Sequence, residues 1–244
     1  MRRYLLGLTL VAAAGASGDA VGRLLDQKAS AAQRNDACVA LRGNRSPGVV
    51  AALRNALADS TVRSCVAEDL RIAGAVGDLL EGLVSDDADV QAVAARELGH
   101  MRDPRALEAL GRAAMDSNVL VASAAIEALA AYDEGVALPI LLRAAQQPGV
   151  AGVTALERAA AFHNPKVLPV ARQILTTGDA ASQVIALSVI ADLGDASDLP
   201  RLHDMAGKSE PIASRGRGFG FMPVIDLARV AGNAASAIET RLRH

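Results

Sequence analysis

Leu107, Leu138, Leu168 and Leu199 follow one another at steps of 31, 30 and 31 residues. Each lies four positions after the first member of a turn-forming pair: Asp103-Pro104, Glu134-Gly135, Asn164-Pro165 and Asp195-Ala196. A second landmark, one helix earlier, keeps the same steps through Leu98, Leu129, Ala159 and Ile190. Looking backward, Leu70 and Leu79 precede Leu98 and Leu107 by 28 residues, and Leu41 and Val50 precede those by 29. Two landmarks holding one period over six units restrict the chain to a repeat architecture. A unit of this length is a single supersecondary element that cannot bury its apolar face alone, so neighbours must stack.

Within a unit the pattern is helical. Val90, Val93, Ala94, Leu98 and Met101 keep a 3.6-residue spacing, as do Ala106, Leu107, Leu110, Ala113 and Ala114 after the turn. Acidic or hydroxyl residues precede the first helices at Asp59-Ser60, Asp86-Asp87, Ser117-Asn118 and Asp179. Such groups cap free N–H groups and favour the positive end of the helix dipole. Ser30-Ala31-Ala32-Gln33 fits a capping box. Pro139, Pro169 and Pro200 follow the second-helix leucines directly, which places each in a first turn, where a missing N–H costs little. The composition agrees: 51% hydrophobic but 2% aromatic, with no Trp, so Ala, Leu and Val must fill the core. The expected fold is all-α, an α-solenoid of about six helix–turn–helix repeats over 30–211, with N- and C-terminal caps.

The stretch "AARELGHMRDPRALEALGRA" resembles the HEAT-like repeats of phycobilin-lyase relatives and of many bacterial scaffold proteins. The resemblance covers roughly 30–211 and rests on packing and turn positions, so it speaks for fold more than function. It implies a concave face lined by the second helices, and a scaffold role. The ankyrin signature and the bulky aromatics of tetratricopeptide repeats are absent.

Outside the array, "MRRYLLGLTLVAAAGASGDA" has the order of a secretory signal peptide. Two Arg precede an apolar run, and Ala-x-Ala-like sites would place cleavage before Ser17 or Asp19. The run is short for a membrane span; the alternative is an ordinary first helix. Residues 1–18 are thus expected to be a leader, 19–29 a capping helix, and the protein periplasmic or secreted, with no membrane association after cleavage. Export bears on Cys38 and Cys65, which lie 27 positions apart without metal-type clustering. In an oxidising compartment such a pair forms a disulfide, here between the first two repeats. The alternative is two buried free thiols. At the other end, 212–244 are expected to hold a Gly-rich loop and two short helical stretches near 223–231 and 234–243. Arg241 and Arg243 then sit close to a C-terminal dipole.

Groups able to do chemistry are sparse. The four histidines are His100, His163, His203 and His244. The first two are expected in inter-helix turns two repeats apart, too distant to share a metal whose nitrogen ligands lie about 2 Å away. One HEAT-repeat enzyme class, the deoxyhypusine hydroxylases, carries paired His-Glu motifs for iron, and no His-Glu dipeptide occurs here. No residue is assignable to chromophore handling, and no Gly-x-Ser-x-Gly elbow is present. No catalytic residue, metal or cofactor is expected. The net charge of −2 argues against nucleic acid as a partner.

The expected activity is therefore protein binding. On the second-helix face Arg112 and Arg143 are equivalent positions, Arg172 falls one residue short of the next, and Arg105 and Lys166 are equivalent two repeats apart. These five form a candidate basic ridge, interrupted by Glu108 and Asp204, with an ordinary solvated face as the alternative. "RGRGFGF" adds Arg215, Arg217, Phe219 and Phe221, either a binding loop, an insertion, or a plug for the end of the core. Aromatic and Arg side chains dominate interface hot spots. The runner-up function is a lyase-like accessory factor, or a protein holding a small ligand or chromophore.

Overall fold

The computed structural model describes residues 17–208 and 226–244, and among these every regular element is a helix. The fold is all-α, as the repeat period predicts. The described residues divide into two compact units at Asp133/Glu134. The first holds α1 (17–25), α2 (Ala31–Leu41), α3 (Pro47–Ala56), α4 (Arg63–Ala73), α5 (Val76–Leu83), α6 (Ala88–Met101), α7 (Leu107–Ala113) and α8 (Val119–Ala130). The second holds α9 (Glu134–Ala144), α10 (Val150–Ala160), α11 (Leu168–Thr177), α12 (Ala180–Leu193), α13 (Leu199–Gly207) and α14 (Leu227–Leu242).

In the first unit the first helices α2, α4, α6 and α8 pack in succession and form one layer. The second helices α3, α5 and α7 form the other, each lying chiefly against the first helix of the following repeat. The second unit follows the same rule, with α9 on α10, α11 on α12 and α13 on α14. This explains α14. Without it, α13 and the open side of α12 would expose their apolar faces. It is one continuous helix of 16 residues, where the sequence pattern predicts two short ones. Gly232 does not break it, because its missing side chain lies over Ala206 of α13.

The periodic leucines make the core. Leu41, Leu70, Leu98 and Leu129, one in each successive first helix, are all fully buried, and burial of each contributes about 1.5–3 kcal/mol. In the second helices the landmark residues Leu79, Leu138 and Leu168 are buried too, and in α7 the weight moves three residues on. Leu110 and Leu141 are fully buried, whereas Leu107 is half-buried. Small residues set the spacing where first helices meet. A Cβ at Gly99 of α6 would come within 2.7 Å of both Cα and Cβ of Ala128 on α8.

Turn chemistry recurs with the period. Asp103, Asn164 and Asp195 each accept the backbone N–H two residues on, from Arg105, Lys166 and Ser197, at 2.8–2.9 Å. Each thereby starts a short 3-10 turn that leads into the second helix. Just before two of these turns, Arg102 and His163 adopt left-handed φ values of 51° and 53°. The fourth repeat departs from this. Glu134-Gly135 offers neither an Asx acceptor nor a proline, so the turn anneals into α9 and Pro139 lies inside the helix, with its ring exposed. Asp87, Asn118 and Asp179 cap their helices, and Ser30 with Gln33 forms the capping box. Asp59 does not cap α4. It accepts from Thr61 N–H in the preceding turn and holds Arg34.

Candidate functional site

Many charged side chains hold neighbouring repeats together. In the first unit Arg34 donates from Nε to the Leu24 carbonyl at the end of α1, 2.9 Å, and pairs with Asp59 at 2.6 Å. Its repeat equivalent, Arg63, donates to the Leu57 and Ala58 carbonyls after α3 and pairs with Asp87 and Asp89, all at 3.0 Å. Both arginines are buried, and each satisfies carbonyls that a helix end leaves free. The Arg34 guanidinium, with the Thr61 N–H, holds the Asp59 carboxyl at about 2. Two turns further along, Arg42 pairs with Glu68 at 2.7 Å and its equivalent Arg71 with Glu97 at 2.8 Å. In the second unit Arg241 donates to the Ala191 and Gly194 carbonyls at the end of α12, reaching past its own helix terminus. These links run from one repeat to the next, and the sequence reading missed them.

The five expected ridge residues fall into two classes. Arg105, in the 3-10 turn before α7, grips both oxygens of its own Asp103 at 2.9 and 2.7 Å; this holds the Asp103 carboxyl at about 2 and raises the Arg105 pKa. Arg112 on α7 pairs with Glu108 one turn back, at 2.5 Å. Arg172 on α11 is bidentate on Asp198, 2.7 and 2.8 Å, with Asp195 at 3.4 Å. A continuous basic ridge is thus not what the side chains form, because these three are neutralised locally. Arg143 at the end of α9 and Lys166 before α11 are exposed and make no ion pair among the described residues. The repeat explains why. The position equivalent to Glu108 is Pro139, and the position equivalent to Asp103 two repeats on is the neutral Asn164. Arg215, Arg217, Phe219 and Phe221 lie outside the described residues.

Cys38 on α2 and Cys65 on α4 form the expected disulfide between the first two repeats, with Cα atoms 6.4 Å apart. Asp69 completes the one cluster of three potential metal ligands among the described residues, but the two sulfurs are bonded to each other. His100 lies in the last turn of α6, two residues before the turn where the sequence places it. His163 faces Asp192 at 3.6 Å, and His203 pairs with Glu239 at 3.0 Å. The second unit also holds a cleft of about 290 Å³, lined by Gln146, Val153, Leu156, Ile174, Thr177 and Ser182 among others.

Residues 76–161, from the start of α5 past the end of α10, match the family model described as HEAT repeats. This segment carries HEAT repeats. The match covers two first-helix/second-helix pairs in full, and includes the Asp103-Pro104 turn and the Gly99–Ala128 approach. HEAT-type stacking accounts for the even spacing of Leu98 and Leu129. No curated protein matches the chain significantly. The solved structures similar to this chain include these three. Human deoxyhypusine hydroxylase in complex with glycerol shares 16% identity over 96% of this chain and 99% of that one, TM-score 0.46. The complex of CpcE and CpcF of phycocyanin lyase from Nostoc sp. PCC7120 shares 19% over 90% and 93%, TM-score 0.43. An engineered protein shares 18% over 92% and 96%, TM-score 0.34.

Proposed function

We propose that this HEAT-repeat protein is an exported, non-enzymatic scaffold that binds an acidic segment of a protein partner on its second-helix face. The observation that carries the reading is the pair Arg143 and Lys166. Both are long cations left exposed because Pro139 and Asn164 stand where their equivalents have an acid. A cation with no partner in its own chain meets a partner's carboxylate without first breaking an ion pair, whereas Arg105, Arg112 and Arg172 would each have to give one up. Phe219 and Phe221, flanked by Arg215 and Arg217, supply the apolar anchor in this reading, since interfaces place aromatic and Arg side chains at their energetic centre. Export rests on the leader-like residues 1–18 and is tested by sequencing the N-terminus of the mature chain.

The test is capture of partners by the tagged protein from its native envelope fraction. Arg143→Glu/Lys166→Glu is expected to lose the partner, and Phe219→Ala/Phe221→Ala to weaken it. Arg112→Glu, at a cation already paired, serves as the matched control and is expected to retain it. Equal capture by all baits refutes the assignment of the face. The cleft along α10–α12 favours a second reading, a small-ligand holder, because small-ligand sites are concave and mostly apolar. Native mass spectrometry that finds a stoichiometric small molecule, lost on Leu156→Trp, would replace the first reading with the second.

A further inference from the structure

The disulfide lies beside a carboxylic acid that repeat packing does not call for. Asp69 stands one turn after Cys65 on α4 and is completely buried. Its Oδ1 accepts from Arg42 Nε at 3.2 Å, while its Oδ2 lies 3.4 Å from Cys38 Sγ. A disulfide sulfur has no hydrogen to offer, so this contact is a hydrogen bond only when the carboxyl is protonated and donates. Burial pushes the Asp69 pKa above the ordinary carboxylate range, against the pull of Arg42, and Glu68 adds to the rise. The two sulfurs also differ. Cys38 is completely buried, and Cys65 is half-buried. Thiol–disulfide exchange requires a sulfur that a thiolate can reach and a leaving sulfur whose negative charge is relieved. Cys65 meets the first requirement, and Cys38 beside Asp69 meets the second.

We propose that Cys38, Cys65 and Asp69 form a thiol–disulfide exchange site for a soluble thiol or dithiol, with Asp69 as the acid that protonates the departing sulfur. The incoming thiolate attacks Cys65 Sγ and forms a new S–S bond there. The Cys65–Cys38 bond breaks, its electron pair goes to Cys38 Sγ, and Asp69 Oδ2 delivers its proton to that sulfur. The resulting carboxylate faces the Arg42 Nε–H. When the reagent is a dithiol, its second thiolate attacks the mixed disulfide. Cys65 leaves as a thiolate that takes a proton from water, and the reagent ends as its own disulfide. The protein gains two electrons and the dithiol loses two. In the reverse direction the Asp69 carboxylate removes the proton from the Cys38 thiol before it attacks. The charged groups around the site are Arg42 from the end of α2 and Glu68 from α4, with Arg71 on Glu68 and Glu97 of α6 on Arg71. The proposal does not depend on the scaffold reading.

The test follows reduction of the full chain by dithiothreitol from about pH 4 to about pH 9, each rate divided by the reagent's thiolate fraction. In the wild type this corrected rate is expected to fall as pH rises through the Asp69 titration, because the acid form is consumed. Asp69→Asn is expected to lower it about ten-fold or more at the acid end and to flatten the profile. Glu68→Gln is expected to move the fall to lower pH, because the Glu68 charge adds to the rise of the Asp69 pKa. A flat wild-type profile overturns the proposal, as does an Asp69→Asn rate equal to or above wild type. Should that variant fail to fold, wild type treated with glutathione and quenched with acid still decides. Peptide mapping is expected to find the mixed disulfide on Cys65, and finding it on Cys38 overturns the assignment.

Discussion

Replacing Gly99 by Ala should destabilise the first unit, although alanine is the better helix former. Gly99 lies inside α6, so the substitution gains about 1 kcal/mol of helix propensity. Against that, the new methyl would come within 2.7 Å of both Cα and Cβ of Ala128. Neither atom belongs to a side chain that can swing away, so α6 and α8 must separate by roughly 0.7 Å to restore ordinary contact, in a core packed at crystal-like density. Overpacking of this kind costs about 1–3 kcal/mol, and a backbone neighbour places it in the upper half of that range. The net expectation is a loss of about 1–2 kcal/mol, read from urea unfolding followed by far-UV circular dichroism. Gly232→Ala is the matched opposite. Its methyl would meet Ala206 Cβ at 3.7 Å, an ordinary contact, so the propensity gain stands alone and α14 should become more stable by about 0.5–1 kcal/mol. If both variants shift the midpoint in the same direction, close approach at Gly99 is not what selects glycine there.

Replacing both Cys38 and Cys65 by Ser should cost about 3.5 kcal/mol, from a loop with a separation of 27 residues, and the difference from wild type should vanish when both are unfolded under reducing conditions. The depressed Asp59 carboxyl makes the folded state favour its charged form. That stability is present above the ordinary carboxylate value and is lost as pH falls towards about 2; Arg34→Leu should raise the Asp59 titration seen by NMR. Burial, with the Asp103 charge adding to it, pushes the Tyr132 phenol up to about 12, so its ionisation at 295 nm should coincide with alkaline unfolding. Tyr132→Phe leaves the carbonyls of Leu98 and Asp103 without that hydroxyl and should cost about 1 kcal/mol, measured by the same urea unfolding.

The fold was legible because its determinants repeat. Leu41, Leu70, Leu98 and Leu129 are buried for one geometric reason, and a geometric reason applied at regular intervals leaves a period in the chain. Hairpin pairing was less legible. A second helix packs mainly on the first helix of the next repeat, and side-chain spacing within one unit carries no information about which neighbour takes the contact. Pro139 shows the same limit. Its place after Leu138 matches Pro169 and Pro200, yet its turn differs because residue 134 lacks the Asx acceptor that begins the others.

The charged residues offer a rule that the sequence already contained. Arg34 and Arg63, Arg42 and Arg71, and Glu68 and Glu97 each recur at 29 residues, and every one of them joins neighbouring repeats. A charge that recurs together with its partner is therefore structural. A charge that recurs while its partner does not is left for something else. Arg112 and Arg143 are such a case, since Glu108 gives way to Pro139 between them; Arg105 and Lys166 are another, since Asp103 gives way to Asn164. The rule makes a direct demand. Pro139→Glu should restore the helical i,i+4 partner of Arg143, neutralise it as Glu108 neutralises Arg112, and remove the interior proline. The variant is expected to be more stable than wild type by about 1 kcal/mol or more, because proline in a helix interior is costly, and to capture less of the acidic partner. A variant that gains stability and still binds fully would show that Arg143 is free by accident of the turn, and that the binding face lies elsewhere.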